Sequence, residues 1–469
     1  MSTPMPLKAG EKDDPGTPLS SADELLAWLH DSPTPRSDFK IGTEHEKFGF
    51  LKDTLQPLPY EGPRGIEAIL TGMANCPIDT AKNGEWTLMT ESDRVIGLTR
   101  NGSSVTLEPG GQLELSGAPL SSIFETCEEV GDHLWLLREV SGPLDVGFFG
   151  MGFHPTAAVE DMAVVPKSRY GIMRNHMPKV GTRGLDMMKR TCTIQANLDY
   201  SSEEDMVKMF RTSLAITPVV TAMFAFSPFM NNKYSGHTSE RTKVWGDTDP
   251  ERSGFPRVVF EEGFGFEKWL NYLLDVPMYF IRRDGIHHDY AGRSFREFVE
   301  KGIDGHRATQ RDFMDHLTVA FPEVRVKGYL EVRGADGGPW SRICALPALW
   351  KGILYDELSR DAAWGLMDNP TSEELFALNQ DVGDRGFTAE YRGKKVLDLA
   401  AEVLRLAGAG LERLRAPGAK SEVVFIAPLQ KAVETGVSFS DEILSLYRDE
   451  WDEDLVHLYE HLEFSDEHK

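Results

Sequence analysis

Cysteine is scarce in this chain. The four cysteines, at positions 76, 127, 192 and 344, include no C-x-x-C pair. This spacing predicts neither a disulfide framework nor a zinc site, and we expect Cys127 to be a core residue of a helix within 121–140. So few cysteines suit a reducing compartment, and we predict a cytoplasmic protein.

Long hydrophobic runs are also missing. The longest apolar stretch, residues 217–230, is interrupted by Pro218 and Pro228 and is too short to cross a bilayer. The first 20 residues contain no apolar segment of a signal peptide. We therefore expect no membrane association.

Basic residues are in deficit. The chain has 50 Lys and Arg against 74 Asp and Glu, a net charge of −24. Nucleic acids and anionic membranes both require a basic surface, so neither is an expected partner. Any anion that binds must be held by a local basic cluster.

The chain is long enough for one large domain or for two or three smaller ones. Its 469 residues contain no internal repeat. We predict a flexible tail over residues 1–18 and one catalytic domain over 19–469. Within that domain, 19–343 should supply a sheet with its loops and 344–469 a mostly helical support.

The stretch IGTEHEKFGF, residues 41–50, predicts a β-strand with two carboxylates on one face. Side chains alternate along a strand, so Glu44 and Glu46 project together, ~7 Å apart. Like charges at this spacing repel unless a cation lies between them, and Mg²⁺ prefers carboxylate oxygens. Solvation of both glutamates on an exposed face is the alternative.

Three later stretches repeat this alternation. They are GGQLELSG with Gln112 and Glu114, TCTIQANLDY with Gln195 and Asn197, and GYLEVRGADGG with Glu331 and Arg333. If the apolar faces pack on helices, the polar faces must line water or a ligand. The pattern predicts an α+β fold whose sheet curves around a polar, metal-binding cavity.

Further candidates lie between these strands. His154 ends the Gly-spaced stretch GFFGMGFHP and is a possible metal or nucleotide contact, or else a structural histidine. Residues 166–190 are locally basic and include Arg169, and the loop-rich segment 231–260 contains Arg241. Arginine binds carboxylate and phosphate through two parallel hydrogen bonds, so these segments predict an anion site.

Seven stretches together resemble one enzyme family. They are IGTEHEKFGF, GGQLELSG, RYGIMRNHMPKVG, MMKRTCTIQANLDYSSE, DVPMYF, YLEVRGADGGPW and CALPALW. In this order and over most of the chain they are similar to the plant and proteobacterial type of glutamate–cysteine ligase. The resemblance implies a glutamine-synthetase-like curved antiparallel sheet that forms a funnel surrounded by helices.

It also implies the chemistry. That family joins the γ-carboxylate of L-glutamate to the amine of L-cysteine, with ATP as co-substrate and two or more Mg²⁺ ions for which Mn²⁺ can substitute. The expected route is through γ-glutamyl phosphate, the first step of glutathione synthesis, and the expected assembly is a monomer or homodimer.

The resemblance and the strand pattern together give the site residues. The resemblance implies Glu44, Glu46, Glu114 and Glu331 as metal ligands, and His154 is added from its place at the end of the Gly-spaced stretch. The expected substrate contacts are Arg169, Arg241, Gln195 and Asn197, and the expected ATP contacts are Arg333 and Gln112. The expected catalytic residues are Glu46, Glu331 and Arg333.

Two features depart from that family. Its plant members carry glutamine at the position of His154. They also carry cysteine pairs that act as redox switches, of which only Cys344 has a counterpart here, so disulfide regulation is not carried over.

Three other functions remain open. A related ligase could join glutamate to a different amine. The carboxylates could belong to a two-metal phosphoesterase. A nucleotide-binding regulator without turnover is the third, although the retained glutamates and Arg333 argue against it.

Overall fold

The computed structural model describes residues 16–464. Most of the predicted N-terminal tail, residues 1–15, lies outside the described residues. Within the described part of that tail, residues 16–18, Pro18 forms a β-bridge with Thr309.

The strands fall into one large sheet and four two-stranded ribbons. They are β1 (Ile41–Leu51), β2 (Thr87–Glu91), β3 (Arg94–Arg100), β4 (Ser103–Leu107), β5 (Leu113–Ser116), β6 (Val146–Phe149), β7 (Thr193–Leu198), β8 (Phe229–Met230), β9 (Lys233–Tyr234), β10 (Ser253–Gly254), β11 (Phe280–Arg283), β12 (Ile286–Asp289), β13 (Phe321–Pro322), β14 (Val324–Val326), β15 (Leu330–Asp336), β16 (Glu390–Tyr391) and β17 (Lys394–Lys395).

Helices surround the sheet. They are α1 (Asp23–His30), α2 (Ile66–Ala74), α3 (Pro77–Asn83), α4 (Ile123–Ser141), α5 (Ser168–His176), α6 (Gly184–Arg190), α7 (Glu203–Phe224), α8 (Glu240–Trp245), α9 (Phe266–Asp275), α10 (Phe295–Lys301), α11 (Gln310–Leu317), α12 (Trp340–Leu354), α13 (Glu357–Met367), α14 (Ser372–Arg385), α15 (Val396–Leu414), α16 (Ala427–Thr435), α17 (Phe439–Asp449) and α18 (Val456–Leu462).

The large sheet has nine strands in the order β14-β15-β7-β1-β5-β4-β3-β2, with β6 pairing to β1. Every pairing within it is antiparallel. The register shifts within the β2–β3 and β15–β7 pairs, and irregularities of this kind bend a sheet. The predicted α+β class with an antiparallel sheet is confirmed.

β1 lies in the middle of the sheet, where it pairs with β5, β6 and β7. Its register brings the polar side chains of neighbouring strands side by side. The opposed pairs are Glu46 and Glu114 (β1–β5), Glu44 and Gln195 (β1–β7), Glu331 and Asn197 (β15–β7), and Arg325 and Glu331 (β14–β15).

The other sheet face is mostly apolar. Ile194, Ala196 and Leu198 of β7 are buried there, and α12 packs against β7 and β1. Burial of this face fixes the register, because a slip of one residue would exchange the two faces. The polar face is thereby left to line a cavity.

The C-terminal part is mainly helical, as predicted. Its helices are α12 to α18, and α12 and α13 are separated at Tyr355 and Asp356. The domain boundaries themselves remain a prediction.

One disulfide corrects the sequence analysis. Cys127 of α4 is bonded to Cys344 of α12, with their Cα atoms 5.7 Å apart and a sequence separation of 217. The prediction of no disulfide was wrong because helix packing, which cysteine spacing does not reveal, brings the two residues together.

Across residues 16–464, none of the helices combines the length and the apolar content needed to cross a bilayer.

Candidate active site

The polar face of the sheet forms the floor of a cavity of about 130 Å³. Its walls include Glu44, Glu46, Glu114, Gln195 and Glu331 from four adjacent strands. A second cavity of about 190 Å³ adjoins it. Glu108, Glu114, Arg169 and Phe280 line both cavities, so the two form one continuous recess.

Four acids make up what we call the carboxylate cluster: Glu44, Glu46, Glu108 and Glu114. Burial, followed by repulsion from Glu114 and Glu331, raises the pKa of Glu44 to about 7. Burial and the charges of Glu108 and Glu114 raise the pKa of Glu46 well above its ordinary value. The pKa of Glu114 is raised by burial and by Glu108. Lys327, Arg241 and Lys167 each lower the pKa of one of these acids, but they do not offset burial and the neighbouring carboxylates.

Neutral donors hold these carboxylates in place. The Asn197 side chain donates to Glu44 at 2.7 Å. The backbone N–H of Thr193 donates to Glu46 at 3.0 Å, and the hydroxyl of Thr106 donates to Glu114 at 2.6 Å. Such bonds orient a carboxylate but do not neutralise its charge. A bound cation would therefore still stabilise the cluster.

A second group lies at the β14–β15 end of the same face, and we call it the arginine cluster: Arg325, Lys327 and Arg333 around Glu331. Arg325 forms two hydrogen bonds to the Glu331 carboxylate. Lys327 and Arg333 approach it at 3.2 Å and 3.4 Å. Burial alone would raise the pKa of Glu331, but these three cations hold it below its usual range.

Gln195 joins the two clusters. Its side-chain oxygen accepts a hydrogen bond from Arg333 at 2.8 Å, and its Cα is paired with that of Glu44. The recess therefore has an acidic part and a basic part on one continuous surface.

Arg241 and Arg169 both line the cavity. The guanidinium of Arg241 donates to the carbonyl oxygens of Arg333 and Gly334 at 2.9 Å and 3.3 Å. Arg169 lies beside Tyr170, its guanidinium carbon 5.1 Å from the ring centroid. Arg241 is thus partly occupied in holding β15, whereas Arg169 has fewer competing contacts.

The carboxylate cluster fits Mg²⁺ in donor chemistry. Its ligands are hard oxygens, and their raised pKa values show that each acid would gain from a nearby cation. Within residues 16–464, however, no three His, Cys, Asp or Glu side chains already stand at metal-binding distances. Binding an ion therefore requires these side chains to rotate toward it.

The position of His154 contradicts its predicted role as a metal ligand. It is fully buried, lines neither cavity, and packs against the rings of Phe48 and Phe149 at 4.8 Å and 5.8 Å. Its Nδ1 accepts a hydrogen bond from the backbone N–H of Ala157. Burial, with the charge of Arg190, lowers its pKa to about 3. The structure makes His154 a core histidine and separates it from the predicted metal ligands.

Three other assignments change. Gln112 lines the cavity, but its amide donates to the carbonyls of Met188 and Thr191 and accepts from Gly110, so it braces a loop and is not free for ATP. Asn197 acts on Glu44 and lies outside the cavity walls. Glu331 is neutralised by cations, which argues against the predicted metal role.

Glu108, Arg325 and Lys327 are site residues that were not predicted from the sequence. The signal for the last two was present, since Arg325 and Lys327 alternate with Val324 and Val326. The strand predicted from Gly328 onward is β15, and Arg325 and Lys327 lie just before it, Arg325 on its antiparallel partner β14. Glu108 precedes a Pro-Gly-Gly turn and carries no strand pattern of its own.

Sequence comparison identifies relatives over nearly the whole chain. The chain is 46% identical over 448 residues to glutamate–cysteine ligase B, chloroplastic, of Oryza sativa subsp. japonica, which covers 95% of this chain and 87% of the relative. It is 44% identical over 448 residues to the chloroplastic glutamate–cysteine ligase of Arabidopsis thaliana, covering 95% and 83%.

Solved structures share the fold at low sequence identity. A glutamate–cysteine ligase from Francisella tularensis, crystallised in complex with AMP, matches with a TM-score of 0.51 and 12% identity, over 90% of this chain and 88% of that one. A bifunctional glutathione synthetase from Pasteurella multocida gives 0.50 and 12%, over 94% and 53%. At this identity the likeness supports the fold alone.

The relatives correct the predicted location. Both plant enzymes are named chloroplastic, which contradicts the cytoplasmic assignment. That prediction was wrong in its reasoning, because a low cysteine content reports on redox conditions and does not distinguish one reducing compartment from another.

The sequence profile of one family, described as glutamate–cysteine ligase family 2, matches residues 40–461 and therefore includes every element of the recess. With this match and relatives above 40% identity over 95% of its length, the chain belongs to glutamate–cysteine ligase family 2.

Proposed function

We propose that this chain uses ATP to join the γ-carboxylate of L-glutamate to the amine of L-cysteine, the first step of glutathione synthesis. The main observation behind the proposal is the recess itself. On one sheet face, a carboxylate cluster with too little positive charge around it adjoins an arginine cluster. ATP with its metal needs both kinds of surface, and the family membership supports these substrates.

The acidic part would hold the metal. Glu44, Glu46 and Glu114 are the proposed ligands of Mg²⁺, with Glu108 beside them. When bound, Mg²⁺ supplies positive charge to the phosphates during transfer. The carboxylates of this chain contribute position, because neutral donors from Asn197 and Thr193 orient two of them.

The basic part would orient the anions. Arg333 lies between Gln195 and Glu331, so its guanidinium is held in one place and faces the cavity. Fixed positive groups stabilise a transferring phosphoryl group without reorganising during the reaction. Arg169, which lines both cavities, is the proposed contact for a carboxylate of glutamate.

The proposed route activates glutamate as γ-glutamyl phosphate. A carboxylate is unreactive toward an amine because its oxygen leaves poorly, and phosphorylation turns that oxygen into part of a good leaving group. The cysteine amine then attacks the acyl carbon and releases phosphate. This route requires no nucleophilic side chain from the protein.

Product analysis tests the proposal. With glutamate, Mg²⁺ and ATP, formation of ADP and phosphate should depend on added cysteine. Glutamate labelled with oxygen-18 in its γ-carboxylate should transfer one labelled oxygen to inorganic phosphate. Label in AMP would instead indicate adenylation and refute the acyl phosphate.

A panel of amines separates the remaining alternatives. A ligase for another amine would release phosphate faster with that amine than with cysteine. A phosphoesterase would release phosphate without any amine, and a regulator without turnover would release none. Either of these last two results would overturn the proposed function.

A further inference from the structure

Asp336 is a buried acid that no step of the proposed reaction uses. It is the last residue of β15, the strand that carries Glu331 and Arg333, and it is only 1% exposed. It lines neither cavity of the recess. Burial raises its pKa, and Arg241 is the cation that acts most against this rise. A buried carboxylate is costly unless its oxygens are paired, so the partners of Asp336 indicate what it holds.

Both oxygens of the Asp336 carboxylate accept hydrogen bonds from the segment that leads into α8. The hydroxyl of Ser227 donates to Oδ2 at 2.6 Å, and the backbone N–H of Phe226 donates to the same oxygen at 2.8 Å. The hydroxyl of Ser239, the N-cap residue of α8, donates to Oδ1 at 3.0 Å. Ser227 and Ser239 are both fully buried. The carboxylate is therefore held by three neutral donors.

The two hydroxyls connect this carboxylate to the backbone of α8. A hydroxyl has one proton, and when that proton is donated to a carboxylate the oxygen is left to accept. The oxygen of Ser227 accepts the backbone N–H of Arg241 at 3.2 Å, and that of Ser239 accepts the backbone N–H of Thr242 at 3.1 Å. Asp336 thereby fixes the start of α8 through two intermediate hydroxyls.

Arg241 is the residue of α8 that faces the recess. Its guanidinium lines the first cavity and donates to the carbonyl oxygens of Arg333 and Gly334. Both of these residues lie on β15, just before Asp336. One strand thus holds Arg241 at both ends, the backbone through Asp336 and the side chain through the two carbonyls.

Two other charged groups act near Asp336. Burial and, more weakly, Asp336 raise the pKa of Glu323, whereas Arg241 lowers it. Arg342 of α12 interacts more strongly with Glu442 than with Asp336. Within residues 16–464, the carboxylate of Asp336 has no hydrogen bond beyond those to the three donors named above. Its main contacts are therefore the links to α8.

We propose that Asp336 is the positioning residue of Arg241. It holds the start of α8 against β15, so that the guanidinium of Arg241 faces the recess beside Arg333. The proposal rests on the proposed function, in which the recess binds ATP and glutamate. Displacement of this guanidinium would weaken the binding of both substrates, because a charged contact loses much of its effect when it is misplaced.

Asp336→Asn is the direct test. The change keeps the size of the side chain, removes its charge and replaces one acceptor by an amide donor. The amide oxygen suits the two donors at Oδ2, so the NH₂ group faces Ser239, whose hydroxyl then lacks its acceptor. The KM for glutamate and the KM for ATP should each rise about tenfold.

A double-mutant cycle shows whether the effect passes through Arg241. In the Arg241→Met background, Asp336→Asn should leave both KM values within about twofold, because the group that it positions is already absent. Initial rates with each substrate varied in turn measure all four proteins. Effects of the two changes that simply add, or unchanged KM values for Asp336→Asn alone, would overturn the proposal.

Two serine variants separate positioning from stability. Ser227→Ala removes the hydroxyl between Asp336 and Arg241 and should raise the same two KM values. The control is Ser122→Ala at the start of α4, outside the recess, where the hydroxyl also donates to a carboxylate and accepts a backbone N–H, both of Glu125. It should lower the urea midpoint and leave both KM values unchanged. If Asp336→Asn does not fold, Ser227→Ala in both backgrounds decides, and equal KM changes in the two serine variants would overturn the proposal.

ATP binding without turnover distinguishes this proposal from the proposed function. Calorimetric titration with ATP and Mg²⁺ needs neither glutamate nor cysteine. Wild type that binds ATP but forms no ADP with glutamate and cysteine would refute the proposed function alone. Asp336→Asn should still bind ATP about tenfold more weakly, and Arg241→Met should mask that loss. Equal ATP binding by Asp336→Asn and wild type would overturn the positioning role, and wild type without ATP binding would overturn both.

Discussion

Glu44 and Glu331 project from the same face of one sheet and are both buried, at 7% and 0% exposure. The pKa of Glu44 is raised to about 7, whereas that of Glu331 is held below its usual range. The difference lies in their neighbours. The charges that act most on Glu44 are the acids Glu114 and Glu331, with Lys327 as a weaker opposing cation. Glu331 is instead surrounded by Arg325, Lys327 and Arg333.

This contrast indicates what each part of the recess can bind. A buried acid without a cation is unstable as an anion, so the carboxylate cluster should gain from a metal. A buried acid surrounded by cations serves to hold them in place, so the arginine cluster presents fixed positive charge to an anion. Both clusters are buried, but the carboxylate cluster would be stabilised by a bound cation and the arginine cluster by a bound anion.

Metal removal should produce the largest effect. EDTA should abolish ADP formation, because the carboxylate cluster then has no cation, and Mg²⁺ or Mn²⁺ should restore it. The measurement is the rate of ADP release before and after each addition. Full activity in a metal-free preparation would contradict the assignment of the carboxylate cluster as a metal site, since its acids would then need no bound cation.

Glu46→Gln should lower kcat by about 10² or more. The change removes one ligand charge from the cluster, and positioned charge at phosphoryl transfer is worth several kcal/mol. Steady-state kinetics across a range of Mg²⁺ concentrations measure the effect. The matched change Glu139→Gln on the exposed surface of α4 should leave kcat unchanged. A normal kcat for Glu46→Gln would place this glutamate outside the chemistry.

Glu331→Gln should act on stability. It leaves Arg325 and Lys327 buried without their acid, and breaking a buried pair in this way costs about 3–5 kcal/mol of unfolding free energy. Urea unfolding measures the loss. Glu297→Gln, which removes a pair of exposed side chains with Lys301, is the control and should change little. Equal stability of Glu331→Gln and wild type would mean that the arginine cluster does not depend on Glu331.

Substitution of the two arginines in the cavity wall should affect the KM values for glutamate and ATP differently. Arg169→Met should raise the KM for glutamate about tenfold and that for ATP much less, because it removes one charge-assisted contact. Arg241→Met should raise both, since Arg241 also holds the backbone of β15. Initial rates with each substrate varied in turn provide the test. A change in the KM for ATP alone would move Arg169 to the phosphates.

His154→Gln should have the smallest effect on activity. His154 contacts neither cluster, so kcat and its Mg²⁺ dependence should stay within about twofold of wild type. A large fall in kcat together with weaker Mg²⁺ binding would return His154 to the metal site.

The same variant should alter acid sensitivity. The pKa of His154 is about 3 in the folded chain, against about 6.5 when unfolded. The stability from its neutral form is present above pH 6.5 and is lost as pH falls toward 3. Between pH 7.5 and pH 5 wild type should lose about 2 kcal/mol more than His154→Gln. Urea unfolding at both pH values measures this difference, and equal losses would contradict the burial argument.

Much of the recess could be predicted because it follows from alternation along single strands. Glu44, Glu46, Glu114 and Gln195 were placed correctly on one face, and all line the cavity. His154 failed because a histidine after a Gly-rich strand looks the same in sequence whether it faces a ligand or the core. Gln112 failed because its partners, Met188 and Thr191, are distant in sequence.

The sequence alone determined which side chains of β1 share a face, since the two-residue period of a strand is a local property of the backbone. It also determined the α+β class and, through its resemblance, the family. Tertiary structure decided the rest: that Arg325 pairs with Glu331, that Glu108 and Glu46 line the same cavity, and that Cys127 is bonded to Cys344. These contacts depend on strand order and helix packing, which no local pattern specifies, because they join segments whose separation in sequence carries no periodic signal.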